Sequence, residues 1–254
     1  MKHIKKKYFL EEKLKTINKE TLGLKKDFDT KDLKNLSKTH DIIIETSDNE
    51  LIFAFIYDDN GNHITIPLPD FTLVYYDFSY KLNIDRKESK KIMLTTLRNV
   101  NHFTELNGEV LYKFYGYSSS CIINLFTSIE CFINHLLPEN KNYIEVNNNR
   151  TEIYNKTQIQ QYIQFWDKLK KVLPQFYNKN FFQKSTPTNE NISKLKELRD
   201  KIIHTKSEDG GTLQIELFKQ ILNFKYDETF TAVAKFMNFY QANYIEDCPC
   251  EKDF

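Results

Sequence analysis

Arg199 and His204 are the two side chains in this sequence best suited to chemistry. They bracket the hexapeptide Arg199-Asp200-Lys201-Ile202-Ile203-His204. Of 36 basic residues only four are arginines, so a planar, permanently charged fork is a rare choice here. Five residues further on stands histidine, the side chain whose unperturbed pKa lies near neutrality. Together they offer a clamp for an anion and a group that can move a proton. A second pair, Arg98 and His102, is one residue closer and is the rival. Its simpler reading is a solvated helix face.

The elements that must position the pair are helical. Ile192, Leu195, Leu198 and Ile202 recur at helical spacing and predict an amphipathic helix over Asn191–His204. The stretch KSEDGGT behind it predicts a break. Glu109–Leu137 reads as one long helix or two abutting ones, with Ile122, Leu125, Phe126, Ile129, Phe132, Ile133 and Leu136 as its stripe. Ser118–Ser120 are positioned to cap a helix start, and Pro138 ends the run. Glu130 sits on the border of that apolar face, where a carboxylate needs a partner, and Asn134 lies one turn on. Residues 138–156 read as a polar loop, Thr157–Phe176 as a helix, 178–190 as a loop and Leu213–Tyr244 as a last helix. The loops are short enough for antiparallel neighbours, so 106–245 is expected to be an all-α bundle.

Upstream the period changes. Residues 1–38 are rich in lysine and glutamate and predict a surface helix or solvated arm. DIIIET, ELIFAFIY, HITIPL and FTLVYYDFSY are rich in β-branched and aromatic residues. Asp59-Asn60-Gly61-Asn62 predicts a hairpin between Leu51–Tyr57 and His63–Leu68, and Ser47-Asp48-Asn49 a turn before it. His63 reads as an exposed strand residue. A helical period takes over from Asp85. The fold class expected is α+β: an antiparallel β-rich region over 1–105, the bundle over 106–245, and a tail over 246–254. The sheet aromatics Phe53, Phe55, Tyr75, Tyr76 and Phe78 could stack bases or form core; core is the commoner use.

Composition narrows the classes. A net charge of +1 provides no global basic field, so contact with nucleic acid would need a local patch. Four cysteines make no disulfide framework. Cys121 and Cys131 read as core, and Cys248-Pro249-Cys250 as tail thiols without a second zinc-type pair. Mean hydropathy of −0.58 predicts a soluble chain. The lysines near Met1 are followed by no apolar segment, and no long apolar run occurs, so a cytoplasmic location is expected.

The stretches SSSCIINLFTSIECFINHLL and LKELRDKIIHTKS, in that order, resemble the HEPN superfamily over roughly 109–245. The resemblance rests on a helix with a border Glu, another helix, a third ending in R-x4-H with a polar residue after the Arg, and a closing helix. It implies a helical fold and a metal-independent endoribonuclease of prokaryotic defence or toxin type. It also implies a homodimer in which the two motifs face one cleft. Arg199 would bind the scissile phosphate, and His204 would act as general acid or base on the 2′-OH and the leaving 5′-oxygen. Asp200 takes the polar position after the Arg, with Glu130 and Asn134 in support. Partners implied are RNA and an antitoxin or sensor; no cofactor and no metal are expected. Thr205-Lys206 stand where some toxin members carry a modified Tyr two residues after the His. Other members are non-catalytic dimerisation or interaction modules, and that alternative stays open.

Elementary chemistry fits the first alternative. RNA carries its own nucleophile, so cleavage needs proton transfer and a cation at the phosphate. Asp200 and His204 are i,i+4, within reach of each other on one helix. Arg199 and His204, by contrast, point about 140° apart on an ideal helix. Either the helix stops near Ile203 or the two groups come from different subunits. Structural roles compete: Arg199 could pair with Glu130 at the core edge, and His204 could simply favour a helix C-terminus.

Overall fold

The computed structural model describes residues 30–39, 41–45, 51–102, 104, 108–147, 150–205 and 211–246. Most of the N-terminal arm, the Ser47–Asn49 turn, most of the KSEDGGT break and the Cys248/Cys250 pair lie outside the described residues. Described residues fall into two compact units, 30–74 and 75–246.

The smaller unit is helix α1 (Thr30–Leu36) and an antiparallel sheet, β1 (Ile42–Glu45), β2 (Leu51–Asp59) and β3 (Asn62–Pro67), in the order β1-β2-β3. Asn60 and Gly61 both take positive φ, 51° and 92°, as a tight two-residue turn requires. Asp58 fastens the turn by accepting the Gly61 N–H at 2.8 Å. That fixes the register Asp58↔His63 and Phe55↔Ile66, so the expected hairpin forms. His63 differs from expectation: its side chain is 11% exposed and lies 3.5 Å from the Asp58 carboxylate.

FTLVYYDFSY is not a strand. It opens helix α2 (Phe71–Asn99). Asp70 accepts the Thr72 N–H on its side chain at 2.8 Å and the Val74 N–H on its carbonyl at 3.0 Å. Capping by Asp70, just behind Pro69, therefore outweighs the β propensity of the run. Of the aromatics considered for base stacking, only Phe53 and Phe55 lie on the sheet; Tyr76 is a helical core residue, 1% exposed. The rival pair dissolves too: Arg98 is exposed in the last turn of α2 and His102 is exposed beyond it.

The larger unit centres on α3 (Glu109–Leu136), which is one unbroken helix. Phe114, Ile122, Phe126, Ile129, Phe132 and Ile133 are all at most 1% exposed along it. Ser118–Ser120 lie inside this helix rather than at its start, because the apolar stripe continues back to Phe114. Ser119 bonds back to the Tyr115 carbonyl at 2.8 Å instead of capping.

Residues 138–156 are not a loop. They hold a hairpin, β4 (Tyr143–Asn147) and β5 (Arg150–Tyr154), so this part of the chain is not all-α. The β-branched and aromatic residues of YIEV and TEIY, on either side of an Asn-rich stretch of sequence, are the strand signal. The helix expected over Thr157–Phe176 is broken. Helix α4 (Lys156–Tyr162) starts with a capping box of Asn155 and Gln158. After Ile163 and Gln164 come α5 (Phe165–Asp167), a π-helical turn at Lys168–Val172 and α6 (Leu173–Tyr177).

Helix α7 (Pro187–Ile203) starts four residues earlier than expected, with Thr186 as cap and Pro187 in the first turn. The last expected helix is two: α8 (Thr212–Asn223) and α9 (Tyr226–Tyr240). Helix α7 packs against α3, α8 and α9. Ile192 and Leu195 are fully buried there and Leu198 is 4% exposed. Leu195→Ala is expected to cost about 2–5 kcal/mol of stability, measurable as a lowered urea midpoint.

Arg86, in α2, is the arginine with a purely internal setting. It is 6% exposed, its guanidinium lies 3.8 Å over the Tyr226 ring, and its Nε donates to Asn83 at 2.8 Å. Asn83 in turn donates to Asp227 at 2.9 Å, tying α2 to the start of α9. Burial pushes the nearby Cys121 thiol up to about 12, as expected of a core cysteine. Among the described residues, no helix is long and apolar enough to cross a membrane.

Candidate active site

The packing of α7 on α3 brings Arg199 to Glu130, as a border carboxylate and a core-edge arginine require. Arg199 Nη2 lies 3.6 Å from Glu130 Oε2, and Nη1 lies 3.1 Å from Asp200 Oδ1. The guanidinium also sits 4.9 Å over the Phe126 ring, one turn from Glu130 on α3. Three contacts therefore orient the fork, while 24% of the side chain stays exposed. Arg199 Nε is buried and has no hydrogen-bond partner among the described residues.

Lys196 completes the cluster from one turn back, with Nζ 2.5 Å from Asp200 Oδ2. Lys168, in the π-helical turn, donates to the Gln160 carbonyl at 3.0 Å and acts electrostatically on Glu130. Three cations thus stand against two carboxylates. The helical offset from Lys196 to Asp200 is legible in the sequence. Lys168 is not, because its direction depends on the π-turn, a feature found often at functional sites.

The two carboxyls shift in opposite directions. Burial pushes Glu130 up, against the pull of Arg199, Lys168 and Lys196. At Asp200 burial acts in the same sense, but the hydrogen bonds from Lys196 and Arg199 outweigh it and hold the group below the usual carboxylate range. A raised folded-state pKa contributes stability that is lost as pH rises through it; a depressed one contributes stability that is lost as pH falls through it. Glu130→Gln is therefore expected to flatten the loss of stability above pH ~4, and Asp200→Asn the loss below it. Urea midpoints of both variants across pH 3–7 check this, in comparison with the unmodified chain.

His204 has a different setting. The helix ends at Ile203, and His204 follows with φ −106° and ψ 41°, outside helical geometry. Its N–H closes the last turn on the Asp200 carbonyl at 2.9 Å. The imidazole is exposed and helps line a cleft of 160 Å³ between α7 and α8, together with Lys201, Thr205, Leu213, Glu216, Leu217 and Gln220. Asp200 forms no ion pair with His204; its carboxylate is occupied by Lys196 and Arg199. Asn134 is not tied to the Arg199 cluster by any hydrogen bond, and its Oδ1 is buried without a partner among the described residues.

Arg199 and Glu130 are thus brought together, and Asp200 joins them. His204 is set apart: Glu130, Asp200 and Phe126, which hold the Arg199 guanidinium, are not among the residues that line the cleft with His204. Arg199 and His204 share no ion pair or hydrogen bond. Among the described residues no group of three His, Cys, Asp or Glu side chains is placed to hold a metal ion. No family model, no curated protein and no solved structure matches the chain.

Proposed function

We propose that this chain is an endoribonuclease of defence or toxin type, cleaving RNA through its own 2′-OH and acting as a homodimer. Arg199 holds the scissile phosphate and His204 transfers protons at the 2′-OH and the 5′-oxygen. The observation that carries the reading is the contrast in how the two groups are held. Arg199 is fixed by Glu130, Asp200 and Phe126 yet keeps an exposed edge, whereas His204, one residue past the last helical one, is exposed and lines a cleft. A fixed fork suits a charge that develops in place. An exposed imidazole suits proton exchange with substrate and water.

Because the two groups face different neighbours in one chain, the site is composite: Arg199 of one copy meets His204 of another. The charge surplus around Arg199 serves as the local basic patch that a chain of net charge +1 needs. No metal takes part in this scheme, so added EDTA is expected to leave cleavage unchanged. Products are expected to end in 2′,3′-cyclic phosphate; 3′-hydroxyl ends would contradict 2′-OH attack. An antitoxin or sensor would regulate such an enzyme.

One observation favours a second reading, a non-catalytic dimerisation or interaction module. Arg199 and Glu130 are paired outside the cleft that His204 lines, as a purely structural ion pair would be. RNA incubated with the intact chain separates the two: an interaction module leaves it uncut.

A further inference from the structure

The cleft beside His204 has a lining that the proton-transfer role does not use. We infer that it seats the nucleobase of the nucleotide whose 2′-OH His204 serves, and that it selects guanine. The choice of a nucleotide as ligand rests on the ribonuclease reading above.

A general base at the 2′-OH must lie beside the ribose, so the base on that ribose falls within reach of whatever adjoins the imidazole. The adjoining space is the α7–α8 cleft, with Leu217, 7% exposed, and Leu213 supplying apolar surface. Its 160 Å³ is well short of the roughly 300–1,000 Å³ of drug-sized sites and suits one planar ring system. Leu213, Glu216, Leu217 and Gln220 recur at helical spacing and form one stripe of α8, and Lys201 in α7 and His204 just past its end line the cleft with them.

Among the described residues the polar lining is Lys201, His204, Thr205, Glu216 and Gln220. The Thr205 hydroxyl is engaged by the Lys201 and Ile202 carbonyls and Gln220 Oε1 by Lys201, which leaves Lys201 and Glu216 as the groups of fixed hydrogen-bonding sense. Lys201 is a donor only, and its Nζ already reaches into the cleft to Gln220 Oε1 at 3.1 Å. Glu216 as a carboxylate is an acceptor only. Its present partner is Lys219 at 3.0 Å, an exposed pair of the kind that contributes little and exchanges readily. On its Watson–Crick edge guanine presents the O6 acceptor beside two neighbouring donors, N1–H and the N2 amino group. It is the one standard base that offers an acceptor to an ammonium and two adjacent donors to a single carboxylate. Adenine would turn the N1 lone pair on Glu216, cytosine the N3 lone pair, and uracil a carbonyl on each side of its one donor.

The test has two arms on the intact chain. In the first, the 3′-monophosphates of guanosine, adenosine, cytidine and uridine are titrated by calorimetry against the unmodified protein and Glu216→Ala. The guanosine nucleotide is expected to bind tighter by roughly 10-fold or more, the discrimination of one good bidentate pair, and the alanine variant to lose that preference. Glu216 is half exposed, so the variant is expected to fold. Equal binding of all four nucleotides, or a preference that survives in Glu216→Ala, would overturn the inference. In the second arm, cleavage sites are mapped on RNA of random sequence, and cuts are expected 3′ to guanine. Cuts made without regard to base overturn the guanine site and leave the ribonuclease reading standing. Guanosine-selective binding without any cutting does the reverse.

Discussion

Replacing His204 with alanine is expected to lower the rate of RNA cleavage by ~10²–10⁴-fold, the usual worth of a positioned general acid or base. The fold should survive the change. His204 is exposed, stands beyond the last helical residue, and closes the helix through its backbone N–H rather than its ring. The interaction of an exposed side chain with a helix C-terminus is worth at most about 1 kcal/mol. Single-turnover cleavage of labelled RNA, paired with urea unfolding, separates the two effects. A variant that still cuts RNA at the original rate would remove His204 from the chemistry.

Arg199→Ala is expected to be as damaging to cleavage, by ~10²–10³-fold, as is typical when a group that stabilises developing charge is removed. Its effect on the fold is larger than that of His204. Glu130 would lose the cation that opposes its raised pKa, and Phe126 would lose the guanidinium above its ring. The ion pair is part-exposed, so the stability loss from breaking it should be on the order of 1 kcal/mol. Arg199→Lys keeps the charge without the planar fork and its stacking, and should not restore cleavage. The double variant Arg199→Ala/Glu130→Gln removes the unpaired carboxylate as well. It is expected to recover stability while remaining inactive. Recovery of both stability and cleavage would make the pair purely structural.

Much of the site's framework is legible in the sequence. The apolar period of α7 and α3 fixes which faces pack, and that packing obliges Arg199 to approach a polar residue on the border of α3. Glu130 is that residue. A break behind the helix is legible too, because the polar stretch KSEDGGT follows; the exact stop at Ile203 is not. The direction of His204 is not. A spacing rule states that two residues diverge on a helix, and it cannot state where a side chain points once the helix has ended. Asp200 misleads for a related reason: i,i+4 geometry allows His204 on one side and Lys196 on the other, and the lysine takes the carboxylate.

Elsewhere, local signals compete. Phe71–Tyr80 carries strand-like residues, and the Asp70 cap decides for helix. The hairpin of β4 and β5 is hidden by the polarity of the Asn-rich sequence between its strands. The π-turn that carries Lys168 leaves no mark in an apolar period read over one helix. The boundary between the two units falls at Tyr75, within a continuous helix, where composition shows no shift.

The composite site can be tested by mixing two inactive variants. Arg199→Ala and His204→Ala chains are unfolded together, refolded as a mixture and assayed for RNA cleavage. If one copy supplies the arginine and the other the histidine, each mixed dimer retains one intact site. Cleavage should then return to on the order of a quarter of the original rate, since about half the dimers are mixed and each has lost one of its two symmetric sites. A mixture as inactive as either variant alone, while the unmodified chain cuts RNA, would contradict a site shared between two copies.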